Sequence, residues 1–541
     1  MKEINIIPEP KKIIFRNKWI KFDGIKNINN FIRNEFNIPS GSFIIIAEDG
    51  PVTSIEIKDK KIYIRGNKNT CYSTICQIIN LRLGYIPEIY IEEEFKFAFR
   101  GFHIDLPRGG VPTLDYFKKL LRLLFISKYN YFAIYFEDLF PWKKYPQIGQ
   151  SRGKLTEFEL NEIIRYGNNL GIKVFPSLEF AGHMERILSI PEFNKYSEWQ
   201  HYGGDCLNIS DPSARKFVYH LLKEVIKFFY SAEYIHIGGD ETWLLGRGKS
   251  LNKTLRFTGP YLYELHHRNM IDIVLESGKK PILWGDMLTG MYLSEDSSKI
   301  WKKLVRSSIW DKTIIANWDY SDNSKEYFEK KIDIFKNRQQ LVCPGFSNWG
   351  RFYPDYKFAL KNIKNFITAG KEKNVVGFLV TSWGDDGAEC MYSSIEPLIV
   401  ATMEIAEGKG NWENKWLTYS GEKKEILELR IKLGDCIVDK KNKSWRHDLL
   451  KQVMFRNRPI DKKTYKYFYE IVDDMEQLQL PSDMQFIKKF IKIVIKKIDN
   501  KLKIGDVIDL CREYKQLWLK ERKQNNLDTV INKFRLSDFI L

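Results

Sequence analysis

The stretch Tyr234-Ile235-His236-Ile237-Gly238-Gly239-Asp240-Glu241-Thr242 decides how this chain is read. Tyr234, Ile235 and Ile237 read as a strand. Neighbouring side chains on a regular strand point to opposite faces. Asp240 and Glu241 can therefore serve one site only where the strand ends and the backbone bends. The Gly238-Gly239 pair supplies that bend, because glycine enters conformations that other residues avoid. Adjacent carboxylates at the end of a buried strand suit acid/base chemistry on a sugar or a phosphate. The competing reading is an Asp-Glu pair that caps a helix after a Gly turn.

Around this stretch, from about 97 to 410, strands and helices alternate. Strand candidates fall at 98–105, 130–138, 171–179, 234–240, 281–286, 313–318, 340–344 and 375–383. Thr113 can cap a helix whose apolar face is Leu114, Phe117, Leu120, Leu121 and Leu124, and Asp211-Pro212 is a second start signal. Eight such units predict a (β/α)8 TIM barrel. An open doubly wound sheet is the alternative, but no Gly-rich phosphate turn follows the first strand. Residues 1–95 carry short β-rich runs, a hairpin around Lys58-Asp59-Lys60-Lys61 and a helix over 70–83, as in a small α/β domain; Ile86-Pro87-Glu88 reads as the exit into the barrel. Residues 96–411 form the barrel. Residues 412–541 lose the strand signals and read as a helical domain. The lysine-rich run 486–495 fits a packed helix with a solvated face better than a helix lying on a membrane.

The chain has 541 residues, 43% hydrophobic and 14% aromatic, enough for a large core and more than one domain. Its 86 basic and 69 acidic side chains leave a net charge of +17. The lysines are scattered and accompany no nucleic-acid motif, so no nucleic-acid partner is expected. No run approaches the ~18 apolar residues of a membrane span, and no membrane partner is expected. The seven cysteines lack zinc-site spacing and the N-terminus lacks a signal-peptide pattern, so a cytoplasmic protein with reduced thiols is expected.

Functional residues of a TIM barrel sit at the C-terminal ends of its strands. The first strand candidate carries Arg100, His103, Asp105 and Arg108, the second Glu137-Asp138, and the third Glu179 with His183. The later ones bring Asp240-Glu241, then Trp284-Gly285-Asp286, Trp318-Asp319-Tyr320, Ser347-Asn348-Trp349 and Trp383-Gly384-Asp385-Asp386. Tryptophan faces beside carboxylates and arginine suit a sugar, whose C–H patches stack on rings while its hydroxyls take hydrogen bonds. His103, His183 and His236 with the carboxylates leave a metal site as a second reading, against the missing His-x-His or His-x-x-x-His spacing.

These residues resemble the family 20 glycoside hydrolases, the β-N-acetylhexosaminidases. The family's His-x-Gly-Gly-Asp-Glu matches His236 to Glu241, and its Arg-Gly-x-x-x-Asp-x-x-Arg matches Arg100, Gly101, Asp105 and Arg108. Pro176-Ser177-Leu178-Glu179-Phe180-Ala181-Gly182-His183 is similar to its Pro-Glu-Ile-Asp-x-Pro-Gly-His, with four substitutions but His183 in place. The Trp-Gly-Asp runs at 284 and 383 are closer to a divergent branch that includes intracellular members. The resemblance implies exo-acting removal of terminal N-acetylglucosamine or N-acetylgalactosamine, with the substrate's own acetamido group as nucleophile and no cofactor or metal. It implies Glu241 as general acid and base and Asp240 as the group that orients the acetamido N–H. It implies substrate contacts from Arg100, Asp138, His183, His236, Trp284, Trp318, Trp383 and Asp385. The family's Tyr-x-Asp after strand seven is absent; Tyr320, Asn348 and Trp349 are the candidates to replace its tyrosine. A non-catalytic barrel that binds amino sugars is the alternative.

Overall fold

The computed structural model describes residues 4–199, 204–291, 293–436 and 448–536. Its first unit is a five-stranded sheet of β1 (Lys12–Lys21), β2 (Ile44–Glu48), β3 (Thr53–Lys58), β4 (Lys61–Arg65) and β5 (Tyr85–Glu93), in the order β1-β5-β3-β4-β2. The hairpin at 58–61 forms with Lys58 opposite Lys61, and both turn residues, Asp59 and Lys60, have positive φ. The helix Lys68–Leu81 packs against this sheet.

Two strands escape the sequence pattern. β1 is half-exposed along its length and interrupted by Arg16-Asn17-Lys18, so its alternation is weak. The supposed exit Ile86-Pro87-Glu88 lies inside β5. Pro87 is tolerated there because it faces Trp19, where the β1 register shifts and no regular ladder bond is required.

The second unit is a closed barrel of eight parallel strands, the fold the sequence predicts. They are β6 (Phe99–Asp105), β7 (Tyr131–Tyr135), β8 (Lys173–Ser177), β9 (Tyr234–His236), β10 (Lys280–Trp284), β11 (Ile314–Trp318), β12 (Gln340–Cys343) and β13 (Gly377–Ser382). β7 and β9 stop earlier than their hydrophobic runs suggest, because Glu137 and Gly238 take positive φ and turn the chain out of the sheet. At the opposite end of the strands, Phe99, Tyr131 and Tyr234 form a floor of rings, with Phe99 stacked on Tyr131 at 4.1 Å. Thr113 caps the helix Leu114–Ile126 by accepting from the Tyr116 N–H, and Asp211 caps the helix that begins at Pro212.

Helices follow from Trp412. Ser482–Ile498 contains the lysine-rich run and buries Phe486, Ile487, Phe490, Ile491 and Val494, while Lys488 and Lys492 pair with Glu476. It is a packed helix with a solvated face. Among the described residues, no helix is long and apolar enough to cross a membrane.

The sheet and the barrel floor share one buried ion pair. Glu93 at the end of β5 accepts from Lys128 Nζ and Thr74 Oγ1, both at 2.6 Å, and both charged side chains of the pair are 1% exposed. Removing one member of such a pair strands the other charge in a low dielectric. Glu93→Ala is expected to cost about 3–5 kcal/mol in urea unfolding, and the paired apolar replacement Glu93→Leu with Lys128→Met to recover most of it.

Candidate active site

The bend after β9 is set by close packing. A β-carbon on Gly238 would lie 2.2 Å from the Glu179 carboxyl, and one on Gly239 would lie 2.6 Å from the Tyr263 hydroxyl. Both glycines also have positive φ, at +66° and +97°. Tyr263 Oη donates to the Gly239 carbonyl at 2.7 Å, and the Gly239 N–H donates to Glu179 Oε2 at 2.9 Å. Glu241 itself sits at φ +50°. Through this bend the two neighbouring carboxylates reach one histidine: His183 Nε2 lies 3.5 Å from Asp240 Oδ2 and 3.4 Å from Glu241 Oε2.

Burial and neighbouring charge divide the protons among these groups. Burial opposes a charge on His183, but Asp240 and Glu241 outweigh it and raise its pKa well above the usual value. Burial also opposes ionised Asp240, yet His183 and a hydrogen bond from Glu179 outweigh it and lower that pKa. Glu179 is pushed the other way, well up, by burial and by Asp240. Asp286 is raised to about 8 by burial and by Asp240; its carboxylate accepts from the Glu241 N–H at 2.9 Å and from Trp318 Nε1 at 3.2 Å. Asp240, held ionised, thus stands between Glu179 and Asp286, whose carboxyls are both pushed up.

Aromatic residues surround the pair. Trp284 is 1% exposed and forms a floor against the His236 ring, 4.3 Å away, and against Trp383 at 6.2 Å. Trp318 stacks on Tyr320 at 5.1 Å, and Trp349 meets Tyr320 at 4.9 Å. Tyr320, Trp349 and Trp383 are half-buried, so their rings border the opening. Trp383 Nε1 donates to Tyr320 Oη at 2.7 Å. The indole can only donate, so the tyrosine hydrogen is not spent on Trp383; the Thr381 hydroxyl is the second hydrogen-bond partner of Tyr320. Asn348 is committed elsewhere, its amide nitrogen bonded to Ser382 Oγ and the Trp383 carbonyl.

Three residues taken as substrate contacts lie away from the opening. Arg100 starts β6 rather than ending it, about 16 Å along the strand from Asp105 at ~3.3 Å per residue. It is built into the barrel floor, donating to the Phe97 and Lys128 carbonyls and lying over the Phe95 ring. The motif's second arginine, Arg108, occupies the mouth instead. It donates to Glu137 Oε1 at 2.9 Å, lies 3.4 Å from Asp385 Oδ1, and covers the Tyr135 and Trp383 rings. Asp138, 1% exposed, is held in a buried ion pair with Arg152, while its neighbour Glu137 pairs with Arg108. Glu137 is raised to about 7, by burial against the pull of Arg108 and His183. His236 is fully buried beneath Trp284; its Nδ1 accepts from the Gly238 N–H, so the ring supports the bend from below. Arg108, Glu137, Glu179 and Asp286 stand at strand ends in the sequence, but their part in the site emerges only from their contacts in the fold. Arg108 lies eight residues after Arg100 and three past the end of β6, a difference in position that acquires meaning once the strand's direction in the barrel is known.

Among the described residues, His183, Asp240 and Glu241 are the one group whose ligand atoms, within 4.8 Å of one another, could hold a metal ion. An imidazolium has no free lone pair to give a metal, and the raised His183 pKa favours that form.

Residues 97–405 match the family model described as glycosyl hydrolase family 20, catalytic domain. Hexosaminidase D of Homo sapiens is 25% identical over 225 residues, 40% of this chain and 45% of that protein. A beta-hexosaminidase of Vibrio furnissii is 27% identical over 251 residues, 39% of this chain and 41% of that protein. The chain spans about half the length of the curated relatives it matches. The chitobiase structure from Flavobacterium johnsoniae superposes with a TM-score of 0.61 at 16% identity, over 97% of this chain and 99% of that one, which is a likeness of fold.

The two histidines of the site are expected to titrate at opposite ends of the scale. In histidine NMR, His183 is expected to remain protonated at pH 7 and lose its proton only on further raising the pH, while His236 stays neutral down to about pH 3.

Proposed function

The chain belongs to glycosyl hydrolase family 20, and on that footing we propose that it is an exo-acting β-N-acetylhexosaminidase. Its substrates are β-glycosides, small or oligosaccharide, that end in N-acetylglucosamine or N-acetylgalactosamine. The observation that carries this reading is the convergence of Asp240 and Glu241 on His183. Carboxyls that work from opposite faces of a sugar stand ~5 Å or more apart across the bond. Consecutive residues sharing one imidazole work from the same side, so the nucleophile comes from the substrate itself. Its acetamido oxygen attacks the anomeric carbon, the glycosidic bond breaks, and an oxazolinium ion forms with retention after hydrolysis.

Each group then has one task. Glu241, half-buried and facing the opening, gives its proton to the leaving oxygen and later takes one from water. Asp240, held ionised, accepts the acetamido N–H and offsets the positive charge of the ring. Tyr320, held by Trp383 beside Trp318 and Trp349, turns its hydroxyl hydrogen to the acetamido oxygen. Arg108 and Asp385 hold the outer hydroxyls.

Turnover of nitrophenyl N-acetyl-β-glucosaminide or galactosaminide is the direct assay; binding of N-acetylglucosamine by calorimetry without turnover of either would replace this reading with a sugar-binding barrel. Glu241→Gln is expected to lose about 10²–10⁴-fold on oligosaccharides and far less on dinitrophenyl leaving groups, whereas Asp240→Asn slows both alike. Tyr320→Phe is expected to lower kcat about 10²-fold, as removal of one donor to a developing charge does elsewhere; an unchanged kcat would return the role to Trp349.

A further inference from the structure

The loop after β13 carries two groups of the site, Trp383 and Asp385. Its backbone is strained beyond them: Asp386, Gly387 and Ala388 all have positive φ, at +67°, +101° and +56°. Non-glycine residues in that region persist only where their surroundings over-determine them. Here the surroundings come from a distant part of the chain. Lys451 and Lys533, on the helices Leu449–Arg456 and Leu527–Leu536, each pair with both Asp386 and Glu389. The Glu389 side chain is wholly buried between them. Arg522, 1% exposed, donates to the carbonyls of Ala388 and Cys390, and the Glu521 carboxylate accepts the N–H groups of Tyr392 and Ser393. On its other side the loop is tied to β6, where the Gly384 N–H donates to Asp105 Oδ2 and Asp385 meets Arg108.

We propose that the C-terminal helices complete the sugar-binding end of the active site, with Lys451 and Lys533 as positioning residues that hold the strained 386–389 turn and so keep Asp385 against Arg108. Neither lysine touches substrate; both act through Asp386 and Glu389. The family match ends at residue 405, so these groups lie outside the part of the chain it covers. The inference rests on the hexosaminidase reading for its kinetic consequence and on the loop contacts alone for its structural one.

Lys533→Met and Lys451→Met in the full chain test it. Each is expected to raise KM for the nitrophenyl glycosides about tenfold with kcat within about twofold, and Lys451→Arg to restore KM. In an Asp385→Ala background the same substitutions are expected to change KM less than about twofold, because the group they position is gone. An unchanged KM in the single variants, or an equal rise in the Asp385→Ala background, overturns the proposal. Hydrogen exchange gives a readout free of substrate: residues 384–392 are expected to exchange faster in Lys533→Met while β6–β13 keep their protection, and unchanged exchange in that loop also overturns it. Lys533 is a quarter exposed, so it carries the test if Lys451→Met does not fold. If the wild type turns over neither glycoside, the enzymatic reading fails and the exchange result alone decides the clamp.

Discussion

The Gly238–Gly239 bend is the constraint on which the site depends. Neither glycine has room for a β-carbon, and the turn is tied on one side to Tyr263 and on the other to Glu179. Were β9 to run straight, Asp240 and Glu241 would face opposite sides of the sheet. The bend brings both to His183, and most of the remaining site answers to that placement. Glu179 supports the turn from β8, His236 from below, and Asp286 takes the Glu241 N–H from the β10 side.

Crowding carboxyls in a buried space creates an electrostatic problem that is solved by unequal protonation. Burial, and then ionised Asp240, raise Glu179 and Asp286, and as neutral acids both can sit beside it without adding charge. The imidazolium of His183 supplies the one positive charge in contact with the pair. Asp240 therefore remains an anion where burial alone would protonate it. A fixed anion beside the place where positive charge develops is preorganised and needs no reorganisation during reaction.

The mouth is assembled from segments far apart in the chain. Arg108 follows β6, Glu137 follows β7, Tyr320 follows β11 and Asp385 follows β13, with C-terminal helices packed behind the last of these. Such a site is as rigid as its worst-supported loop. The 386–388 turn has three consecutive residues at positive φ, and it is bonded from outside the barrel by Lys451, Lys533 and Arg522.

Local pattern determined a good deal of this protein. Eight apolar runs separated by amphipathic helices prescribed parallel strands buried on both faces, and their number favoured a barrel over an open sheet. A Gly-Gly pair before Asp-Glu prescribed a bend bearing two acids. What local pattern missed were the weak outer strand β1 and the proline-bearing β5, whose register depends on pairing with distant residues. Direction along a strand also went unread: Arg100 and Arg108 belong to one motif, but only the assembled barrel separates its floor from its mouth. The same holds for Glu137 and Asp138, adjacent residues that pair with different arginines, Arg108 and Arg152. Which carboxyl keeps its charge was decided by tertiary structure alone, because burial and the distance to His183 are properties of the folded chain and of no segment within it.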